Sequence, residues 1–554
     1  MAELPLIPRP AATLILARDT RNGLEVFLMQ RTHQAAFVPG GYVFPGGALD
    51  AADAASFFAL RAGEFNDPQA SRILGLDDGG LAFWVAAIRE CFEEAGLLLA
   101  YDADGNIADT SRYGAPAELD VLRTRVASGE FAFADMCEHL QLRPAFDQLR
   151  YFAHWVTPVG APRRFDTRFF VAIAPNGQTG SHDNAETIGH AWMRPGDALE
   201  RQRAGELDMM FATIRTLEEL ARFDDTASLM AHASTPRTIA VHLPRVSTGP
   251  AGRRVLLPAD HAYAEVGKLD PNGHGRTLSH IVPGTVTVLS EHLRRVTAPN
   301  PGFMTGPGTN SYLVGTREGL AVVDPGPADA AHIEQLLAHA DAPIRWILTT
   351  HTHIDHSPGA ALLKARTGAQ VLGLPAPAAG NQEQGFKPDI TLEHNQRVAI
   401  GGCTLRVIHT PGHASNHLCY LLEEERILLT GDHIMQGSTV VINPPDGDMR
   451  AYLASLQQLK QLDVEYFAPG HGFLMDKPHA VIDRIVAHRL AREQKIVDAL
   501  RRGKAASIEE LLPFAYDDVP QQRHAMAARS LLAHLHKLEA EGRAMQSESR
   551  WSLL

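Results

Sequence analysis

The sequence predicts a multidomain chain of mixed α/β and α+β folds, and three observations carry that expectation. The length of 554 residues corresponds to three or four domains at about 100–200 residues each. Hydrophobic residues make up 45% and charged residues 21%, enough apolar material for packed cores and too much for general disorder. The stretch 285–480 alternates short apolar runs with helical segments, as a layered α/β domain requires.

Region 1–235 holds strand-like runs at 12–16, 25–30 and 169–173, and a helix at 81–95 whose apolar positions interleave with Arg89, Glu90, Glu93 and Glu94. Residues 236–284 are rich in Pro, Gly and polar side chains. They read as a linker or extension, with the apolar run 255–257 arguing that it packs on a domain. Region 285–480 carries strand candidates at 284–290, 310–314, 320–323, 344–349, 369–374, 405–409, 418–422 and 426–430. Its helix candidates are 328–340, 359–367, 450–462 and 480–500. The tail, 481–554, reads as short helices at 492–500, 507–515 and 524–541.

The net charge of −13 excludes a protein that coats nucleic acid or anionic membrane with its whole surface. The four cysteines, Cys91, Cys137, Cys403 and Cys419, form no CxxC pair, and are too few for a disulfide scaffold. The opening MAELPLIPRP lacks a cationic, apolar leader, and no apolar run approaches the ~20 residues of a membrane span. A cytoplasmic protein without a membrane partner is expected.

Histidine stands out, at 27 residues. His351-Thr352-His353-Ile354-Asp355-His356 follows the apolar run IRWILTT, so four ligand-type side chains crowd one strand end. His413 follows the strand LRVIH, Asp432 follows RILLT, and His471 follows VEYFA. Each places one more such side chain just beyond a strand. This ordered set resembles the metallo-β-lactamase superfamily over about 285–480. The resemblance implies an αβ/βα sandwich with His351, His353 and His413 on one metal, Asp355, His356 and His471 on another, and Asp432 bridging them. Asp324 in VVDPG would support the site from behind. Two zinc ions, or manganese or iron, about 3.5–4 Å apart would stabilise a bridging hydroxide, which Asp355 would orient. His409, His417 and His433 fall off the pattern, and His417 is the best of them for a supporting or substrate-binding role.

Asn310 in GPGTNSYLVG and the tail HRLAREQKIVDAL resemble the lactamase-β-like group, some of whose members are single-strand endoribonucleases carrying a winged helix after the hydrolase fold. The tail has 12 Lys+Arg against 10 Asp+Glu, so single-stranded RNA and a packing or homodimer role are both compatible with it.

On the helix at 81–95, Glu90, Glu93 and Glu94 share one face at i+3 and i+4. Alone, a solvated acidic face is the simpler account; a hard cation such as magnesium is the other. The run REcFEEaGL together with Phe44-Pro45-Gly46-Gly47 is similar to the Nudix box, with one departure. Arg89 comes 42 residues after Gly47 rather than the family's 14, an insertion of 28, with Asp53 standing where the first glutamate would fall. AFVPGGYVFPGG and Arg163-Arg164-Phe165-Asp166-Thr167 resemble the group that includes coenzyme A diphosphatases. The resemblance implies a Nudix α/β/α sandwich that binds magnesium or manganese through Glu90, Glu93 and Glu94. Glu93, Glu94 and Glu186 would help activate water, and Arg163 and Arg164 would clamp a diphosphate.

The expected protein is therefore a fusion of a Nudix diphosphate hydrolase (1–235), a binuclear hydrolase of phosphodiesters or thioesters (285–480) and a winged helix. Its substrates would be small molecules, namely a nucleoside diphosphate, a coenzyme A derivative or a thioester. Two alternatives stand beside it. One keeps only the C-terminal site catalytic and makes the Nudix domain a nucleotide-binding or dimerisation module. The other is an RNA-processing endoribonuclease.

Overall fold

The computed structural model describes residues 6–34, 38–110, 113, 116–183, 185–378, 382–437, 439–503 and 505–554; Ala36 and Phe37 of the AFVPGG run lie outside them. The chain divides into two compact units, Met1–Pro244 and Arg245–Leu554.

In the first unit, strands β1 (Arg9–Thr20), β2 (Gly23–Arg31), β3 (Tyr42–Val43), β4 (Gly46–Ala48), β5 (Arg150–Val156), β6 (Phe165–Ile173), β7 (Thr187–Met193) and β8 (Val241–His242) form one mixed sheet. Its order is β8-β5-β6-β1-β2-β3, with β4 on β1 and β7 on β2. The uninterrupted apolar run of β1 is buried on both faces, as a central strand requires. Helix α1 (Leu81–Ala95) buries Trp84, Val85, Ile88 and Phe92 in one core with Leu14, Leu16 and Phe170. Its N-terminus is held from the insertion: Asp67 accepts from the amides of Gly79 (3.0 Å) and Leu81 (2.8 Å). At its C-terminus Arg123 donates to the carbonyls of Glu93 and Glu94, satisfying groups that a helix end leaves open. The insertion itself folds as two short helices, Ser56–Arg61 and Asp67–Leu74.

In the second unit, β9 (Val286–Val288), β10 (Leu293–Thr297), β11 (Asn310–Thr316), β12 (Gly319–Val323), β13 (Ile344–Leu348), β14 (Gln370–Gly373) and β15 (Ile390–Thr391) lie side by side in that order. A second sheet follows, also in chain order: β16 (Arg397–Ile400), β17 (Cys403–His409), β18 (Leu418–Leu422), β19 (Ile427–Gly431), β20 (Tyr466–Pro469) and β21 (Met475–Asp476). Period-2 alternation sorts the side chains into layers. Tyr312 and Val314 meet Leu418 and Tyr420 between the sheets. Leu313 faces outward onto Ile333 and Leu336, and Cys419 and Leu421 face outward onto Tyr452 and Leu456. The result is a four-layer αβ/βα sandwich. All four cysteines are buried and free.

The stretch 236–284 divides at Pro244. β8 extends the first unit's sheet, whereas the hairpin Arg245–Gly249/Gly252–Leu256 and helix α2 (Tyr263–Leu269) belong to the second unit. The anchor is Glu265, which pairs with Arg295 at 2.6 and 2.9 Å and accepts from the Leu474 amide. Arg295 also explains why β10 is hard to see in the sequence: its paired arginines break the apolar pattern, yet one is buried by this pairing.

The helix expected at 480–500 and the shorter one at 492–500 are a single 26-residue helix, α4 (Pro478–Gly503). After α3 (Met449–Leu459) and α4 come α5 (Ile508–Ala515), α6 (His524–Ala540) and a hairpin, Ala544–Ser547/Arg550–Leu553. Ala506 pairs with Trp551 to complete the wing. The first turns of α4 bury Ile482 and Ile485 in the sandwich core. Its later turns bury Ile496, Val497 and Leu500 around Trp551.

Candidate metal centres

The ends of β13, β17, β19 and β20 meet at one edge of the sandwich, and the loops beyond them bring seven ligand-type side chains together. His351, His353 and His413 offer ring nitrogens to one point, and Asp355, His356, Asp432 and His471 offer atoms to another, each set within 4.8 Å. His353 Nδ1 lies 2.8 Å from His351 Nε2 and 3.0 Å from His413 Nε2. Asp432 stands between the sets: one oxygen is 3.4 Å from His356 Nε2 and 3.3 Å from His471 Nε2, the other 3.9 Å from His413 Nε2. A Cβ at Gly470 would fall 2.7 Å from Asp432 Oδ1, so the close approach needs glycine there.

Each ring is oriented through its other nitrogen, the usual support for a metal ligand. His356 Nδ1 meets Asp324 at 2.9 Å, His413 Nδ1 the Val441 carbonyl at 2.8 Å, His471 Nδ1 the Gly308 carbonyl at 3.1 Å, and His351 Nδ1 the Thr350 hydroxyl at 3.0 Å. Asp324 sits at φ 53, a strained conformation for a non-glycine. There its carboxylate also accepts the amide and hydroxyl of Thr350 at 2.7 and 2.8 Å. Asn310 donates to the carbonyls of Pro469 and Gly472 and so holds the loop of His471.

Burial holds His351 well below the usual histidine range, and pushes His353 down to about 3, its burial reinforced by the neighbouring His413 ring. In the second set burial also lowers His471, but Asp432 and Asp355 outweigh it and hold the ring up to about 9. Their negative field wants a positive charge at that point. His356 Nε2, His471 Nε2 and Asp432 Oδ1 are buried without a hydrogen-bond partner, an arrangement normally costly that a cation resolves. The residues present fit a metal.

The off-pattern histidines fall elsewhere. His417 is fully buried, bonded to Thr410 and stacked on His351 at 5.0 Å. A substrate at the surface does not reach it, which corrects its expected substrate contact to a place behind the cluster. His433 is buried against Tyr452, and His409 bonds the Ser415 carbonyl.

In the first unit, Arg89 is the hub. It grips Asp53 with two bonds of 2.8 and 2.9 Å, and donates to Glu90 at 2.9 Å and Glu93 at 3.1 Å. Asp53 thus reaches Arg89 across the insertion. Glu94 accepts from the Gly46 amide at 2.9 Å, and a Cβ on Gly47 would lie 2.5 Å from the Glu90 carboxyl. Burial, then the neighbouring Glu93 charge, raises Glu90 to about 7 despite Arg89, and burial with Glu90 raises Glu94 well above the carboxylate range. Glu93 is raised by burial too. Buried, mutually repelling carboxylates fit a hard cation, although they do not converge on one point as the histidines do. Glu186 is exposed and 3.8 Å from Arg31.

The Arg163-Arg164 pair precedes β6. Arg164 is buried, with its guanidinium donating to the carbonyls of Leu6 and Thr157. Two of its three guanidinium nitrogens are thus committed to backbone carbonyls at the strand's start, which leaves less of it for the expected diphosphate clamp. Arg163 is exposed.

A family model described as Metallo-beta-lactamase superfamily matches residues 304–471, that of the NUDT19 Nudix domain matches 62–213, and that of the Beta-lactamase associated winged helix domain matches 507–551. The Beta-lactamase-like protein 2 homolog of Caenorhabditis elegans is 30% identical over 270 residues, 48% of this chain and 90% of that protein. The chain belongs to the metallo-β-lactamase superfamily. It is a superfamily hydrolase with a Nudix domain before it and a winged helix after it, and both hydrolase folds imply divalent metals. Thioesterase pkgB of Emericella nidulans is 35% identical over 219 residues, 39% of this chain and 61% of that protein. The crystal structure of a NUDIX hydrolase from Alicyclobacillus acidocaldarius is 30% identical, covering 42% of this chain and all but 2% of its own, with a TM-score of 0.34. Among the described residues no helix is long and apolar enough to cross a membrane.

The support around the ligands had no signal in the sequence. Thr350, Gln382, Ser415, Asn416 and Asp446 carry no spacing pattern and are joined only by the fold.

Proposed function

We propose that the second unit hydrolyses a thioester at a two-cation centre and that the first cleaves a diphosphate with magnesium or manganese. The observation that carries the first reading is Asp432 standing between the two sets of ligand-type side chains, an oxygen toward each. His351, His353 and His413 would hold one cation and Asp355, His356 and His471 the other, with zinc favoured by the imidazole-rich set and manganese or iron as alternatives. Cations bound there would polarise the substrate carbonyl and lower the pKa of a water.

The chain supplies the rest. Asp355 is the most exposed carboxylate of the set, with 23% of its side chain accessible; with Oδ2 toward His356 and His471, its Oδ1 would take the proton of the attacking water and return it to the leaving thiol. The imidazoles, fixed from behind, keep the ligands aimed without reorganisation. Large apolar side chains are exposed on the loops that lead to the centre: Ile354 inside the ligand loop, and Phe303 and Met304 on the loop ending at Gly308, whose carbonyl meets His471. They suit an acyl group better than a phosphodiester backbone, and the similarity to a protein named as a thioesterase points the same way. RNA is less favoured because Arg492, Lys495, Arg501, Lys537, Arg543 and Arg550 in the tail are already paired with acids.

In the first unit, Glu90 and Glu94 would bind the cation and Arg89, locked to Asp53, would hold the glutamates in place. Glu93 and the exposed Glu186 are the candidates to activate water. The Asp53–Arg89 pair favours an active box despite the insertion.

The test is metal analysis of the full chain followed by assays on acyl-coenzyme A, nucleoside diphosphates and short single-stranded RNA. Thioester cleavage lost in D355A and H353A supports the first reading, and its survival sinks it. Diphosphate cleavage lost in E94Q supports the second. No turnover and no magnesium binding there would make the first unit a binding module.

A further inference from the structure

His353 differs from the other histidines of its set. Its Nδ1, where the others use Nε2, faces the shared point, and its Nε2 faces the Gln382 amide nitrogen at 3.3 Å. Gln382 is 7% exposed, and that same nitrogen donates to Asp446 Oδ2 at 2.9 Å. The amide is fixed from its other end as well. Asn416 Nδ2 donates to the Pro375 carbonyl at 3.1 Å and to Thr352 Oγ1 at 2.8 Å, and the Thr352 hydroxyl donates to Gln382 Oε1 at 2.7 Å. Asp446 is held in turn by the Ser415 hydroxyl at 2.6 Å, two residues from His413.

Donors and acceptors along this chain run in one direction. With the Gln382 amide nitrogen toward His353, Nε2 of that ring must accept, and the ring hydrogen lies on Nδ1. A neutral imidazole that gives Nδ1 to a cation keeps its hydrogen on Nε2 and needs an acceptor there. Gln382 provides one only by turning its amide over. Its oxygen then faces the Asp446 carboxylate, two acceptors with no hydrogen between them.

We infer that Gln382 and Asp446 are positioning residues that set the affinity of the His351–His353–His413 trio for its cation, because the Gln382–Asp446 bond and a cation on His353 Nδ1 exclude each other. Filling the trio reverses Gln382 and frees Asp446 from it. The segment that carries Asp446, 444–450, also lines a groove of about 510 Å3 with Leu532, Ala533 and His536 of α6, and it stays anchored through Ser415.

This rests on reading the trio as a metal site, and the experiment separates the two. Zinc alone is titrated into the metal-free full chain against a chromophoric chelator. In D446N the new amide can donate to the reversed Gln382 oxygen, so the first zinc should bind about 10-fold more tightly than in the wild type. In Q382M no acceptor reaches His353, and affinity should fall by about 10- to 100-fold, the range typical of lost outer partners. With labelled glutamine, the side-chain amide signals missing in Q382M should shift on zinc addition to the wild type. Wild-type or weaker affinity in D446N, or unmoved Gln382 signals, overturns the inference while leaving the metal reading intact. No zinc binding by the wild type overturns both.

Discussion

Asp53 and Arg89 show what one buried pair can do across a long detour of chain. The sequence placed Asp53 where a box glutamate would fall, but 36 residues separate it from its arginine, and no spacing rule spans that. In the structure the insertion leaves and returns, and the pair closes with two bonds. Asp53→Ala leaves Arg89 buried beside two glutamates with one partner fewer, and should cost about 3–5 kcal/mol, as for other broken buried pairs, read as a lower melting temperature of the full chain. The seven side chains of the C-terminal centre were legible for the opposite reason: four lie within six residues, and the others follow apolar strand runs. Asp432→Ala should abolish the shared position, lowering bound metal per chain by inductively coupled plasma analysis and hydrolysis at least 100-fold. Arg163 and Arg164 look alike in sequence, while the strand start buries the second and exposes the first.

At the scale of elements, the tail and the segment before β9 each hang on a buried acid. Glu493 on α4 is bonded to Lys537 and Arg543 at 2.7 Å. Burial pushes its carboxyl up, but His534, Lys537 and Arg543 outweigh this and bring it down to about 2. A folded value below the unfolded one means that the carboxylate stabilises the tail above about pH 4.5. That contribution disappears as pH falls from 4.5 toward 2. Fluorescence of Trp551, buried in the tail core, should show the melting temperature falling across that window in the wild type and much less in E493Q. For the earlier segment, Glu265→Ala strands Arg295 inside the sandwich and should cost about 3–5 kcal/mol by denaturant unfolding. The apolar run 255–257 hinted that this stretch packs. Nothing in the sequence marks Glu265, a lone acid on a short helix, as its anchor.

For the whole molecule, motifs gave the order of the folds because each hydrolase pattern is local: the C-terminal one lies in loops just beyond strands, and the first lies on the single helix α1. Boundaries were less visible, since they depend on which core receives each side chain. The chain's two halves show it: residues 236–244 and 245–284 look alike in composition, yet only β8 joins the first unit's sheet.

Helix α4 passes from one core into another without a break. At 1.5 Å per residue its 26 residues make a strut about 39 Å long, with one end cemented in the sandwich and the other in the winged helix. A strut of this kind offers no hinge. Calorimetry should therefore record the sandwich and the tail melting as one cooperative event, and a chain ending at residue 490 should melt lower in its sandwich as well. The tail therefore has no pivot in α4 about which to move against the sandwich, and the two respond to heat or load as a single body.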